Sequence, residues 1–333
     1  MFSYLYNLLR SFQYFLIVNQ NIRKQKRYLD EKIYPILEMA KSINDGTIDE
    51  EDIKKIKLYG MAIPAVLGEA YCTYRDLPMN ETERLSMTCI GGITGLFDDL
   101  FDRKNLSQEY IKHLLDFPEE NNTNNSNEKL LVKLYQLGLE NSDKHDLIKK
   151  YAQQVYEAQI ASLKQLQPNL SIREIEEITF DKGGFSMLLY RCGLAGEMDA
   201  NDYELLFNLG AIGQFENDIF DTYKDAQEGI KTFSTVLTSV AEVRERYKNK
   251  ILIIFQLIEK SSYPSPQKAR FKHFTALVVC SALVCLDQFN KISQRTNGKF
   301  KVNEYSRKEL ICDMQNPLKI LKTLHYAAIY AKI

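Results

Sequence analysis

Helical periodicity runs through almost all of this 333-residue chain, and it constrains the fold more than any other feature. From Lys129 to Gln165, Leu130, Leu131, Leu134, Leu137, Tyr151, Val155, Ile160 and Leu163 recur at mostly three- and four-residue spacings. That is the pattern of one apolar helix face. Windows at 26–43, 52–76, 82–103, 107–116, 143–166, 172–181, 185–197, 201–227, 234–260, 264–293 and 304–332 read the same way. Long strand-like alternation is absent, and 15 glycines and 8 prolines are few for a turn-rich sandwich or barrel. Connectors such as Asn44-Asp45-Gly46 and Thr296-Asn297-Gly298 are short and polar, while the Asn-rich stretch Pro118–Glu128 is expected as a mobile surface loop. No repeat period is visible. The expectation is all-α: one large antiparallel helix bundle over residues 21–333, preceded by an amphipathic segment at 1–20.

Charge excludes one class of partner. The 43 basic side chains nearly cancel 44 acidic ones, whereas a general nucleic-acid binder carries a strong basic excess. The six cysteines (Cys72, Cys89, Cys192, Cys280, Cys285, Cys312) form no C-x-x-C pair and read as reduced, packed thiols, which suits a cytoplasmic protein. None of the four histidines has a partner at zinc spacing. Residues 1–18 lack the basic start and cleavage site of a signal peptide, and Asn7, Arg10 and Gln13 make them too polar to span a bilayer. Packing on the body is the preferred reading of this segment. Because Arg23, Lys24, Lys26 and Arg27 follow, peripheral membrane contact through residues 1–27 is the alternative.

Two acidic windows carry the chemistry. In the first, Gly91 to Arg103, helical geometry puts Asp98 about 40° from Asp102, and Asp99 about 60° from Asp102. Three carboxylates then share a face near a helix C-terminus, where the helix dipole already presents negative charge, so a cation should compensate. In the second, Asn217, Asp221 and Asp225 stand at i, i+4 and i+8, within about 80° of one another on a helix, with Asp218 and Lys224 flanking. Oxygen-only ligands on helices suit Mg²⁺, whose shell is usually completed by water and phosphate. Facing each other across a bundle, the two windows would hold a metal–diphosphate cluster.

This pair resembles the two metal-binding motifs of the class I isoprenoid synthases, the trans-prenyltransferases and class I terpene cyclases. Asp98-Asp99-Leu100-Phe101-Asp102 is similar to the first aspartate-rich motif. Asn217, Asp221 and Asp225 resemble the cyclase Asn, Ser/Thr, Glu triad with Asp at the last two places, and Gln214 before Asn217-Asp218 resembles the prenyltransferase pattern. The first motif, trailing into Arg103, is also similar to bacterial synthases acting on long prenyl diphosphates. The Gly-Gly-Lys segment and the arginine pair of chain-elongating enzymes are missing, and Tyr305 and Arg307 only loosely echo a cyclase Arg-Tyr signature.

The resemblance implies a bundle with a central active-site cavity in which an allylic prenyl diphosphate ionises. Asp98, Asp99, Asp102, Asn217, Asp218, Asp221 and Asp225 would hold about three Mg²⁺ ions with the substrate. Lys182, Arg191, Lys224 and Lys231 would contact the diphosphate. Asp181-Lys182-Gly183-Gly184 is expected to break or kink its helix, as family members do at this distance before the second motif. Cys89, Gly92, Thr94, Gly95, Phe97, Gly184 and Gln214 are expected to line the pocket. Small residues below the first motif predict a deep floor and a substrate of about fifteen to twenty-five carbons. Phe97, Phe101, Tyr190, Phe207 and Phe215 lie near the motifs, where aromatic faces could stabilise a carbocation. The expected activity is that of a terpene synthase, in a monomer or homodimer. The alternatives are a chain-elongating or head-to-head prenyltransferase, and a non-catalytic helical protein binding prenyl lipid or metal.

Overall fold

The computed structural model describes the backbone of residues 2–103 and 106–331, and the side chains of residues 3–97 and 106–331. Among the described residues there is no β-strand; the regular structure is helical throughout. Helix α1 (Phe2–Lys32) runs unbroken past residue 20 and is followed by α2 (Tyr34–Ser42). Next come α3 (Glu50–Ala62), α4 (Glu69–Arg75), α5 (Glu81–Arg103), α6 (Gln108–Asp116), α7 (Ser126–Glu140), α8 (His145–Ser162) and α9 (Ile172–Arg191). The chain continues through α10 (Ala200–Phe220), α11 (Thr222–Glu228), α12 (Phe233–Val236), α13 (Val240–Lys260), α14 (Ser265–Val279), α15 (Ser281–Ser293), α16 (Arg307–Leu310) and α17 (Pro317–Tyr330).

Two compact units are interleaved in sequence. One comprises residues 1–16, 161–184 and 198–333; the other comprises 17–160 and 185–197. In the second unit, α5 packs against α3 and α7. Asp49 begins α3 with a reciprocal capping box to Asp52, satisfying donors that would otherwise be orphaned. Pro64 cannot donate to the helical ladder, and residues Ile63–Gly68 between α3 and α4 widen into a π-helical turn. Within this unit a buried polar network holds the second half of α1: Gln25 Nε2 donates to Gly60 O (3.0 Å) and Thr88 Oγ1 (2.8 Å), and Arg84 donates to Gln25 Oε1. In the first unit, α10, α13, α14, α15 and α17 enclose a core containing Phe215, Phe233, Tyr247, Phe255, Phe274 and Phe289. The stretch 265–296 is long and apolar enough to cross a membrane, yet 78% of its most apolar 18-residue window is buried inside the protein, as befits a core element.

The Asn-rich stretch differs from expectation. Pro118–Glu120 forms a 3₁₀ turn, Asn125 caps α7 by accepting from Glu128 N, and Asn127 and Glu128 are buried. Asparagine is abundant there because its short amide closes turns and caps, which orders this loop. All six cysteines are free, buried thiols.

Candidate active site

The second acidic window is positioned by the crossing of α9 over α10. A Cβ on Gly183 would overlap the Gly210 carbonyl and lie 2.7 Å from Gln214 Cβ, and one on Gly184 would overlap the Phe207 ring. The glycine pair was expected to break its helix, but α9 is continuous from Ile172 to Arg191. Here glycine serves close backbone approach, which removes the side chain without needing a special φ.

This close crossing brings Thr179 and Lys182 to Asp218. The Thr179 hydroxyl donates to Asp218 Oδ2 at 3.0 Å, and Gln214 Nε2 donates to Oδ1 at 2.9 Å. Burial pushes the Asp218 carboxyl up to about 6, opposed by these two hydrogen bonds and by the Lys182 charge. Asp218 was expected among the metal ligands. It instead turns into the α9–α10 interface, with both oxygens already engaged, one of them by the half-buried Gln214.

Asn217 and Asp221 have the opposite disposition. Asn217 is exposed, and its Nδ2 donates to Asp221 Oδ2 at 3.3 Å. Asp221 interrupts the ladder between α10 and α11 (φ −87°, ψ 7°). Its N–H nevertheless donates to Asn217 O at 2.8 Å, and its carbonyl accepts from Asp225 N at 2.9 Å, so the four-residue register persists. Asp225 is buried, and its carboxyl is pushed up to about 8, first by burial and then by the negative charges of Asp218 and Asp221, with Lys224 opposing. Crowded carboxylates with so little local positive charge favour a cation. Among the described residues, no three His, Cys, Asp or Glu side chains converge closely enough to hold a metal alone. The donor set therefore fits Mg²⁺ only as a partial shell, to be completed by oxygens such as the Asn217 amide and phosphate.

Lys231 follows at a fixed distance. Gly229, at φ +75°, ends α11, Ile230 N donates to Asp225 O at 2.8 Å, and Lys231 exchanges hydrogen bonds with Gln165 at 2.8 and 3.0 Å. Lys224 is exposed beside Asp225. Arg191 departs from expectation. Its Nη1 donates to Leu194 O (2.7 Å), its Nη2 to Gly196 O (2.9 Å) and Glu197 O (3.2 Å), and its guanidinium lies 4.7 Å from the Tyr71 ring centroid. Both terminal nitrogens cap the end of α9, a structural use that leaves little for diphosphate.

On α5, the carboxylates Asp98, Asp99 and Asp102, and Phe101 with them, lie outside the described side chains. The glycines before them do not hollow out a floor. A Cβ on Gly91 would sit 3.0 Å from Tyr59 O, on Gly92 3.2 Å from Ile56 Cγ2, and on Gly95 2.8 Å from Lys55 Cβ. They are spent on the close packing of α5 against α3. Cys89 is buried beside Gly138 of α7, and Phe97 is also buried. Thr94 donates to Gly91 O (2.6 Å) and accepts from the Tyr190 hydroxyl (3.2 Å). Phe215 is core, with Phe233 at 4.7 Å and Tyr247 at 5.2 Å between ring centroids, so it is not placed to meet a carbocation. Phe207 stacks on Tyr203 beneath Gly184.

One charged residue here has no counterpart in the sequence reading. Glu216 accepts from the Ser281 hydroxyl, and burial raises its carboxyl to about 7. It is adjacent to Asn217, but 100° around the helix it faces a different neighbour, and its partner lies 65 residues away. No local pattern signals such a pair.

No known family profile matches the sequence, and no curated protein sequence matches it significantly. A solved structure does resemble the chain: a crystal structure of a dehydrosqualene synthase in complex with ligand, at TM-score 0.50 and 16% identity. The match covers 85% of this chain and 98% of that one. At this identity the likeness speaks for the arrangement of helices alone.

Proposed function

From the all-α class I isoprenoid-synthase fold of this chain, we propose that it is a Mg²⁺-dependent enzyme that ionises an allylic prenyl diphosphate. The observation that carries this reading is the carboxylate-rich register Asn217–Asp221–Asp225, with Lys182 drawn to the same helix by the α9–α10 crossing. Asn217, Asp221 and Asp225 would hold Mg²⁺ here, and Asp98, Asp99 and Asp102 are proposed as Mg²⁺ ligands on the strength of their sequence motif alone. Bound Mg²⁺ would supply Lewis-acid neutralisation of the departing diphosphate. The chain's own part is positional: Thr179 and Gln214 lock Asp218, which fixes the α10 register from which Asn217 and Asp221 project. Lys182, Lys224 and Lys231 add fixed positive charge where charge develops on the leaving group.

The proposed outcome is that of a terpene synthase: a terpene hydrocarbon or alcohol plus diphosphate, from a substrate of about fifteen to twenty-five carbons. Gly92 and Gly95 pack against α3 and do not set that length, which the substrate series below reads directly. A second reading, head-to-head coupling of two prenyl chains, is favoured by the likeness to a dehydrosqualene synthase. One experiment separates them: incubation with C10, C15, C20 and C25 diphosphates and Mg²⁺, followed by mass spectrometry. A product with the substrate's carbon number supports the synthase reading, and doubled carbon number supports coupling. No diphosphate release from any substrate overturns both.

A further inference from the structure

The first half of α1 is amphipathic in the wrong direction for a surface helix. Two of its polar residues point inward, although Ser3 and Gln13 stay exposed: Asn7 Nδ2 donates to Ala328 O at 3.3 Å and Ser11 is fully buried, while the Tyr4 hydroxyl meets His325 Nδ1 at 2.7 Å. Its apolar residues point outward: Leu5, Leu9, Phe12 and Leu16 are 53%, 63%, 50% and 47% exposed, at spacings of four, three and four residues. A soluble helix does the reverse. In the same unit, α17 leaves Leu318, Leu321 and Ile329 exposed, and the two hydrogen bonds above hold it beside α1. With Tyr6, these two segments carry eight of the eighteen exposed large hydrophobic side chains among the described residues, five on α1 and three on α17. Such clustering marks an interaction surface.

Charge identifies what covers it. Residues 1–29 contain five basic side chains (Arg10, Arg23, Lys24, Lys26, Arg27) and no acidic one, although the whole chain is balanced. The helix α17 has Lys319 and Lys322 and no acidic residue. Asp287 of α15 is shared by Arg244 at 2.7 Å, the Tyr326 hydroxyl at 2.9 Å and, more loosely, Lys322 at 3.8 Å, so it neutralises only part of this positive charge. Beyond Leu16 the same three- and four-residue register reaches Gln20, Arg23 and Arg27, so the apolar stripe runs into a basic one. A second copy is a poor fit, because a two-fold interface sets a patch against itself and would face these cations with their own kind. An anionic lipid surface satisfies both features: acyl chains receive Leu5, Leu9, Phe12 and Leu16, and headgroups receive the cations.

We propose that the α1–α17 face is a peripheral docking surface for an anionic bilayer. This does not depend on the reaction. Co-sedimentation of the full chain with vesicles of phosphatidylcholine, with and without about 30% phosphatidylglycerol, tests it at about 0.1 M salt. Binding is expected only to the anionic vesicles and should weaken at high salt. The exposed double substitution Leu9→Ser/Phe12→Ser should lower the partition coefficient about tenfold or more. Arg23→Glu/Arg27→Glu should also weaken binding, with circular dichroism unchanged in both variants. No binding to anionic vesicles, or binding unaffected by Leu9→Ser/Phe12→Ser, overturns the proposal. A dimer seen by ultracentrifugation that Leu9→Ser/Phe12→Ser dissociates, with no vesicle binding, overturns it in favour of an interface between copies.

Discussion

Gly183 and Gly210 cross with no room for a methyl group between them, since a Cβ on Gly183 would overlap the Gly210 carbonyl oxygen. The contact lies one helical turn from Thr179 and beside Lys182, so it sets how both reach Asp218. Gly183→Ala should force α9 off α10 and cost about 1–3 kcal/mol. Among the described residues, nothing lies within 4 Å of where a Cβ on Gly213, on the same helix as Gly210, would sit. Gly213→Ala should be neutral or stabilising by up to about 1 kcal/mol, because alanine is the better helix former. Urea unfolding of the two variants checks the contrast, and equal effects would refute this account of the crossing.

The structure separates Asn217 and Asp221 from Asp218, which sequence spacing could not do. Asn217→Ala and Asp221→Ala remove outward oxygens and should lower Mg²⁺-dependent diphosphate release at least about 100-fold, with little change in stability. Asp218→Asn keeps the shape but can accept only one of the hydrogen bonds from Thr179 and Gln214, so it should lose both stability and activity. A phosphate-release assay run beside thermal melts distinguishes the two patterns. A stable, inactive Asp218→Asn would restore Asp218 to the ligand set.

These contrasts show where the sequence was legible. Helical spacing announced an all-α chain, and α5, α6 and α10 begin within a residue of the expected windows. Four-residue spacing also anticipated the register of Asn217, Asp221 and Asp225, because backbone hydrogen bonds carry it through the irregular Asp221. What stayed hidden was the direction of each side chain. Gly91, Gly92, Gly95, Gly183 and Gly184 read equally as cavity or as contact, and only the opposing helix decides. Asp218, Glu216 and Arg191 owe their roles to packed neighbours, and the first two owe theirs to partners 39 and 65 residues away. Periodicity carries no information about such pairs.

Arg191 offers a test of a residue whose apparent role was diphosphate binding. Its guanidinium closes three carbonyls after α9 and covers Tyr71. Arg191→Met keeps the aliphatic stem but leaves those carbonyls unsatisfied, so stability should fall by about 2 kcal/mol. The KM for a prenyl diphosphate should stay within about twofold. Lys231→Ala should do the converse, with little effect on stability and a KM raised about tenfold, as for loss of one charge-assisted contact. Steady-state kinetics with a parallel melt reads both, and a tenfold rise in KM for Arg191→Met would return that residue to the site.

His273 makes stability depend on acid. It is buried on α14, stacked at 5.8 Å on Tyr14 of α1, and its Nδ1 has no hydrogen-bond partner among the described residues. Burial, aided by the Arg10 charge, holds its pKa at about 4, below the ordinary 6.5. Between those values the unfolded chain binds more protons than the folded one. The contribution is therefore fully present above about pH 6.5 and is lost as pH falls toward 4, reaching about 2 kcal/mol at pH 5. His273→Phe keeps a ring against Tyr14 and removes the titration, so its urea midpoint should change less between pH 7.5 and pH 5 than that of the parent. Equal slopes in the two proteins would assign the acid sensitivity to other groups and leave the Tyr14–His273 contact as packing alone.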